Sequence, residues 1–177
     1  LDTLFEEWHQ SQLQANPIFA TMIGDLRYND QLPDYFSADY RAASEARERD
    51  FLERVKKIDR DQLTGQHRLS RDIFVSDREL SLEGNRFPSW MLAVDQTGNF
   101  GSYFAQFGSG ESVQPFREGK HYADFLARIA RYPVLNQTAI ANMREGIKAG
   151  VVQPKVVIEK IVPQFAAHIV EKPEDSV

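Results

Sequence analysis

Residues 122–150 read YADFLARIARYPVLNQTAIANMREGIKAG, and this stretch indicates the fold class of the whole chain. Apolar side chains recur there at three- and four-residue intervals, the periodicity of a helix with one buried face. Because proline lacks an N–H group and disfavours helix in the residue before it, we expect two helices, one ending near Tyr132-Pro133 and one ending at Gly150. The apolar positions are Tyr122, Phe125, Leu126 and Ile129 in the first, and Leu135, Ala139, Ile140, Met143 and Ile147 in the second.

The same periodicity precedes this stretch in four segments. A first helix carries Leu1, Leu4, Phe5 and Trp8, and Asn16-Pro17 separates it from a short helix at residues 18–22. Ser37 and Thr64 are predicted to cap the third and fourth helices. The third is expected to bury Ala42, Ala46, Phe51, Val55 and Ile58, and to turn its charged residues, Glu48 among them, to solvent. The fourth is expected to line one side with Leu69, Ile73, Ser76 and Leu80.

Residues 87–110 are the least regular part of the chain. Trp90, Phe100, Tyr103, Phe104 and Phe107 lie there among glycines, which predicts a folded loop with at most a short helical turn at residues 102–104. Core packing is the favoured interpretation of these aromatic side chains, and the lining of a ligand groove is the alternative. A last helix, opened by Pro154 and kinked at Pro163, follows. We therefore predict one all-α domain over residues 1–177, an irregular bundle of six to seven helices with an aromatic, glycine-rich loop.

Composition excludes several classes of function. The net charge is −5 and no block of basic residues exists, which disfavours a nucleic-acid-binding protein. The absence of cysteine excludes disulfides, thiolate zinc sites and cysteine nucleophiles. No run approaches the roughly 18 apolar residues of a membrane span.

A search for catalytic motifs finds no complete centre. The four histidines are His9, His67, His121 and His168. No two have the spacing of a helical zinc motif. His121 with Asp124 and His168 with Glu171 have helical spacing, for which an exposed polar pair is the favoured interpretation and a metal or acid–base pair the alternative. The segment Gly108-Ser109-Gly110 lacks the setting of a serine nucleophile or a phosphate loop. We predict neither a catalytic residue nor a metal ligand.

The densest polar cluster in a loop is Asp25, Arg27 and Tyr28, within the aperiodic residues 24–34. A buried Asp–Arg pair that holds the loop is the favoured interpretation. Recognition of a substrate is the alternative, because binding residues concentrate in loops, and these three residues are our candidates for it.

The chain resembles a large bacterial family catalogued as domain of unknown function 885. The resemblance begins with residues 20–34, ATMIGDLRYNDQLPD, and continues in order with compatible spacing. It includes Lys57-Ile58-Asp59, Leu63, Arg68, Pro115-Phe116, Tyr122, residues 125–128, Tyr132-Pro133, Arg144-Glu145-Gly146, Gly150, Pro154, Val157 and Gln164. His67 stands where an acidic residue is expected, and residues 98–110 match poorly.

The resemblance implies the N-terminal, non-catalytic region of a longer protein that is similar to zinc carboxypeptidases and often exported or lipid-anchored. It implies that zinc is held by a histidine-glutamate-x-x-histidine helix in a C-terminal catalytic region, which is the partner of this chain. The helices of this chain would then wall the channel that admits a peptide substrate. No zinc ligand of the family maps onto residues 1–177. A free-standing helical binding or scaffold module without activity is the alternative, and a hydrolase built from scattered histidines is a third hypothesis.

Overall fold

The computed structural model describes residues 1–172, which form seven α-helices and no strand. The helices are α1 Asp2–Ala15, α2 Pro17–Met22, α3 Ala38–Lys56, α4 Gly65–Gly84, α5 Phe100–Gly108, α6 Gly119–Ala149 and α7 Lys155–Ala166. Short 3-10 turns occupy Leu26–Tyr28, Arg60–Gln62 and Ser89–Met91. The predicted all-α fold is confirmed. None of the described helices is both long and apolar enough to cross a membrane.

Two of the predicted helix starts are fixed by side-chain caps. The Oδ1 atom of Asn16 accepts a hydrogen bond from the N–H of Phe19 at 3.1 Å, and Pro17 occupies the first turn of α2, where its missing N–H has no consequence. The Oγ atom of Ser37 accepts from the N–H of Tyr40 at 3.1 Å. Thr64 precedes α4 as predicted, but its side chain makes no capping bond.

The first core, which we call the N-terminal core, lies between α1, α3 and α4. Leu4, Phe51, Val55 and Phe74 are its buried members. The ring of Trp8 meets Phe51 and Phe74 edge-on, with centroids 5.0 and 5.5 Å apart. Edge-to-face contact of this kind adds to the free energy gained by burying the rings, so the three helices are held by aromatic packing.

Glu48 lies on the buried side of α3, so its predicted exposure was wrong. It precedes Phe51 by three residues and Val55 by seven, which places all three on one helical face. The Nε atom of Arg78 lies 2.6 Å from Oε2 of Glu48, although the N–H direction does not meet hydrogen-bond geometry, and its guanidinium lies 3.9 Å from the Trp8 ring centroid. Burial raises the pKa of Glu48, while the charges of Arg78 and Arg47 oppose that rise.

The buried Glu48 predicts an unusual pH dependence. Its folded pKa lies above the ordinary value of 4.5, so the folded state binds more protons than the unfolded state between the two values. We therefore expect the contribution of Glu48 to the free energy of unfolding to fall as pH rises from 4.5 through the raised pKa. Urea unfolding at a series of pH values should show this decline in the parent and lose it in Glu48→Gln.

Glu53→Gln is the matched control for this prediction, because Glu53 is an exposed residue of the same helix. Hydrogen bonds lower the pKa of Asp25, Asp72 and Asp95. Their contributions to the free energy of unfolding therefore change below pH 3.8, outside the pH range in which that of Glu48 changes. Identical pH profiles for the parent and Glu48→Gln would contradict the prediction.

The apolar side of α4 faces outward, contrary to prediction. Leu69, Ile73 and Leu80 are all more than half exposed, while Phe74 is the buried residue of this helix. The inward face is completed by two arginines whose side chains are largely covered: Arg78 lies against Trp8, and Arg71 donates from Nε to the carbonyl of Ile58 at 3.0 Å. Long arginine stems thus cover the core where aliphatic residues were expected.

A second core, the aromatic core, joins α5, α6 and the loop before α3. Its buried members are Leu32, Phe104, Phe107, Phe125 and Leu135. The core-packing interpretation is confirmed for Phe104 and Phe107, whereas Tyr103 is exposed. Helix α5 is longer than the predicted turn. Asn99 caps its start, with Oδ1 accepting a hydrogen bond from the N–H of Ser102 at 2.7 Å.

Helix α6 runs through Pro133 without a break, so the predicted division into two helices was wrong. Pro133 removes one backbone hydrogen bond, but buried residues on both sides of it, from Phe125 to Ala139, share one face. Packing along that face outweighs the local preference to stop. The helix ends as predicted at Gly150, whose positive φ of 74° favours glycine.

Candidate site in the loop between α2 and α3

The candidate residues of the loop form a charged pair on a 3-10 turn. Oδ1 of Asp25 accepts from the main-chain N–H of Arg27 at 3.1 Å, and Oδ2 accepts from Nη2 of Arg27 at 2.6 Å. Nη2 also donates to Oε1 of Gln10 on α1 at 2.6 Å, and the guanidinium lies 5.4 Å from the Tyr28 ring centroid. Hydrogen bonds from Arg27 lower the pKa of Asp25.

The predicted Asp–Arg pair therefore exists, but its predicted burial was wrong. The Arg27 side chain is 55% exposed, because the turn at Leu26–Tyr28 carries it on the outside of the molecule. An exposed ion pair of this kind contributes little to stability. The loop must be held mainly by other groups.

Those groups surround Arg128 of α6, whose side chain is fully buried. Its Nε donates to the carbonyl of Gln31 at 3.1 Å, and Nη1 donates to Oε1 of Gln114 at 2.6 Å. Nη2 lies within hydrogen-bonding distance of the Pro17 carbonyl at 3.0 Å, Oγ1 of Thr21 at 2.8 Å and the Tyr28 carbonyl at 3.3 Å. One guanidinium thus binds both ends of the segment 17–31.

We call Arg128, Thr21, Asn29 and Gln114 the polar centre, since all four side chains are buried and linked. Oγ1 of Thr21 lies 2.9 Å from Oδ1 of Asn29, while the amide nitrogens of Asn29 and Gln114 have no protein partner among residues 1–172. No carboxylate of the described residues bonds Arg128, and burial lowers its pKa to about 10. Neutral acceptors satisfy this charge, which suits a structural role rather than anion binding.

Two further polar residues of α6 extend the attachment. Oγ1 of Thr138 donates to Oδ2 of Asp34 at 2.5 Å, and Nδ2 of Asn142 donates to the carbonyl of Phe36 at 2.8 Å. Arg128, Thr138 and Asn142 hold residues 17–36 along nearly four turns of one helix. The candidate loop is consequently a fixed surface that displays Arg27, whereas the Asp25 side chain is only 19% exposed.

Arg128 was missed as a structural residue, although the sequence holds a signal for it. It follows Phe125 by three residues and precedes Leu135 by seven, so it lies on the apolar face of the helix. A charged residue at such a position requires buried hydrogen-bond partners. Apart from Gln114, its partners lie about a hundred residues away, so spacing alone does not identify them.

The histidine pairs of the sequence do not form as pairs. Asp124 instead accepts from Nζ of Lys120 at 2.6 Å, while Nδ1 of His121 accepts from the N–H of Arg117 at 3.2 Å. His168 lies beyond the end of α7, so its helical spacing with Glu171 does not apply. His9 and His67 are exposed. Within residues 1–172 no three His, Asp or Glu side chains come together as a group that could hold a metal ion.

One histidine meets a serine that the sequence did not single out. Nε2 of His168 lies 3.1 Å from Oγ of Ser102, beside a polar cavity of about 320 Å³ that Ser102 and Tyr103 help to line. Nδ1 of His168 is buried and has no partner in the described part of the chain. The pair therefore lacks the group that orients the base in a serine nucleophile system.

Comparison with known families gives one match, to a model described as a bacterial protein of unknown function, DUF885, over residues 17–177. The chain belongs to the DUF885 family. The matched part of this DUF885 chain begins at Pro17 and includes the candidate loop and Arg128. Comparison with curated proteins and with solved structures gave no match.

Proposed function

We propose that this DUF885 chain is the helical, non-catalytic part of a zinc-dependent peptidase. In this proposal, zinc and the catalytic glutamate belong to a further region of the same polypeptide. The helices pack against that region and wall the channel that admits the peptide. The peptidase activity is proposed from the family resemblance, and uncovered apolar surface supports the packing.

The observation that carries the proposal is a second apolar row on α6, which we call the outer stripe. Its members are Tyr122, Leu126, Ile129 and Ile140. They lie about a quarter to a third of a turn away from the buried face, and Leu126 is 63% exposed. Single exposed apolar residues need no explanation, but several exposed apolar residues on one side of a helix favour an interface.

Helix α7 supports the same interpretation. Val162 and Phe165 lie about one turn apart and are exposed, while Ile161 is the buried residue of this helix. With Leu69, Ile73 and Leu80 of α4, three helices present apolar rows to solvent. A free-standing module would gain nothing from this surface, so the rows favour a chain that is covered by more protein.

Asp25, Arg27 and Tyr28 are the residues that we propose to face the peptide. The Arg27 guanidinium is exposed and has donors that Asp25 and Gln10 do not use. The polar centre beneath them holds the loop in place, which lowers the entropy cost of binding.

The test compares the complete gene product with the 177-residue chain in a peptidase assay. We expect metal-dependent hydrolysis by the complete product, its loss with a chelator, and its recovery when zinc is restored. The 177-residue chain should be inactive in both conditions. A reading frame that ends at Val177 or lacks a downstream zinc-binding helix would overturn the proposal, as would hydrolysis that the chelator leaves unchanged.

A second measurement tests the outer stripe directly. In the complete product, Leu126→Lys is expected to lower stability by about 1.5–3 kcal/mol, the free energy of burying one such side chain, and in the isolated chain by much less. Thermal or urea unfolding of both forms measures the difference. Phe87→Lys is the control, because Phe87 is exposed but lies outside the three helical rows. Equal effects of Leu126→Lys in both forms would show that nothing covers the stripe.

A further inference from the structure

An apolar pocket lies where the end of α6 meets the start of α7. Its volume is about 270 Å³, and its walls include Met91, Val94, Met143, Ile147, Val152 and Ile158. The turn at Ser89–Met91 forms one side of it by packing directly on α6: a Cβ atom at Gly146 would lie 3.1 Å from that of Met91 and 2.5 Å from the Val151 carbonyl. The pocket is thus built by close packing of three segments.

Two irregular segments with unpaired main-chain groups border this pocket. Residues 92–94 and 151–154 are in neither helix nor turn, and Nε2 of Gln153 joins them by donating to the Val94 carbonyl at 3.0 Å. Within residues 1–172, the N–H and C=O groups of Ala93 and Val152 form no hydrogen bond to protein. Such groups can pair with the backbone of an added peptide.

We propose that this pocket binds an aliphatic or aromatic side chain of an extended peptide, whose backbone pairs with Ala93 and Val152. This inference rests on the proposed function and deepens it by naming the kind of substrate residue. No charged side chain lines the pocket, so a peptide with Asp or Lys at this position would bury a charge without a partner. Met91 and Met143 are unbranched and flexible, which suits a site that accepts Leu, Met and Phe alike.

The test measures binding of labelled pentapeptides to the 177-residue chain by fluorescence anisotropy. Peptides with central Leu or Phe should bind at least about tenfold more tightly than the same peptide with central Asp. A tenfold difference in affinity corresponds to the free energy of one modest apolar contact. Ile147→Asp and Val152→Asp should each lower the affinity for the Leu peptide by a similar factor. Both positions are more than half exposed, so the fold should tolerate the changes.

Leu126→Asp is the matched control, because Leu126 is an equally exposed residue of α6 that does not line the pocket. Equal affinity for Leu and Asp peptides, or an unchanged affinity in Ile147→Asp, would overturn the inference. Binding of the fatty acid decanoate without binding of any peptide would also overturn the inference, because the pocket would then accept an apolar chain but not a peptide. If the complete product hydrolyses peptides with metal dependence while the 177-residue chain binds none, only the inference about the pocket is contradicted. If the 177-residue chain binds Leu peptides and the complete product shows no such hydrolysis, only the peptidase proposal is contradicted.

Discussion

Arg128→Met is expected to lower the free energy of unfolding by about 2–4 kcal/mol, because each buried acceptor that loses its only donor costs about 1–3 kcal/mol. The substitution leaves Oε1 of Gln114 buried without a donor and removes the Arg128 donor from the carbonyls of Pro17, Tyr28 and Gln31, of which Pro17 and Tyr28 keep other donors. Because small domains are stable by only about 5–15 kcal/mol, this one change removes a large part of the total. Urea unfolding, monitored by circular dichroism, measures it.

Two comparisons separate the geometry of Arg128 from its charge. Arg128→Lys keeps the charge but cannot reach acceptors in several directions at once, so most of the loss should remain. Arg131→Met changes an exposed arginine one turn further along α6 and should cost less than about 0.5 kcal/mol. Hydrogen exchange should also accelerate in residues 17–31 of Arg128→Met. A loss equal to that of Arg131→Met would show that the polar centre does not hold the loop.

Phe104→Ala is expected to cost about 3–5 kcal/mol through lost burial and the cavity left behind. The Phe104 ring lies nearly parallel to that of Tyr132, with centroids 4.6 Å apart, and it also stacks on Phe100 and Phe125 at 5.8 and 5.4 Å. Removing it takes the central ring out of the aromatic core. Thermal unfolding, with near-ultraviolet circular dichroism of the remaining aromatic residues, measures the effect.

Tyr103→Ala is the control for this prediction, because Tyr103 is the preceding residue of α5 and its side chain faces solvent. We expect a change below about 1 kcal/mol there. Comparable losses in the two variants would mean that the cost arises from helix α5 as a whole and not from the stacked rings.

The sequence was sufficient to predict the helical segments where local chemistry determines them. Ser37 caps α3 as predicted, and Asn16-Pro17 separates α1 from α2 as predicted, because both signals act within a few residues. Pro133 shows where local chemistry fails, because packing on both sides of it exceeds the cost of one lost backbone bond. The same reasoning from local signals underestimated α5, which begins after the Asn99 cap and extends to Gly108.

The candidate site was predicted only in part, for a different reason. The Asp25–Arg27 pair spans two residues, so its formation could be predicted from the sequence, but its exposure depends on how the turn sits on the fold. Glu48 was assigned to solvent by its charge and Arg128 was not singled out, although each lies on an apolar helical face. Their partners come from other helices or distant loops, and one sequence contains no record of such pairings.

The polar centre also sets an order of events during synthesis. The helices of the N-terminal core are complete at Gly84, whereas the bonds from Arg128 to Gln31 and Pro17 join residues 97 and 111 positions apart. At about 5–20 residues per second, a ribosome needs roughly 5–20 s to add that interval. The segment that opens the DUF885 match therefore emerges early. Until the middle of α6 has left the ribosome, it lacks its bonds to Arg128, and the carbonyls that accept those bonds are exposed to water.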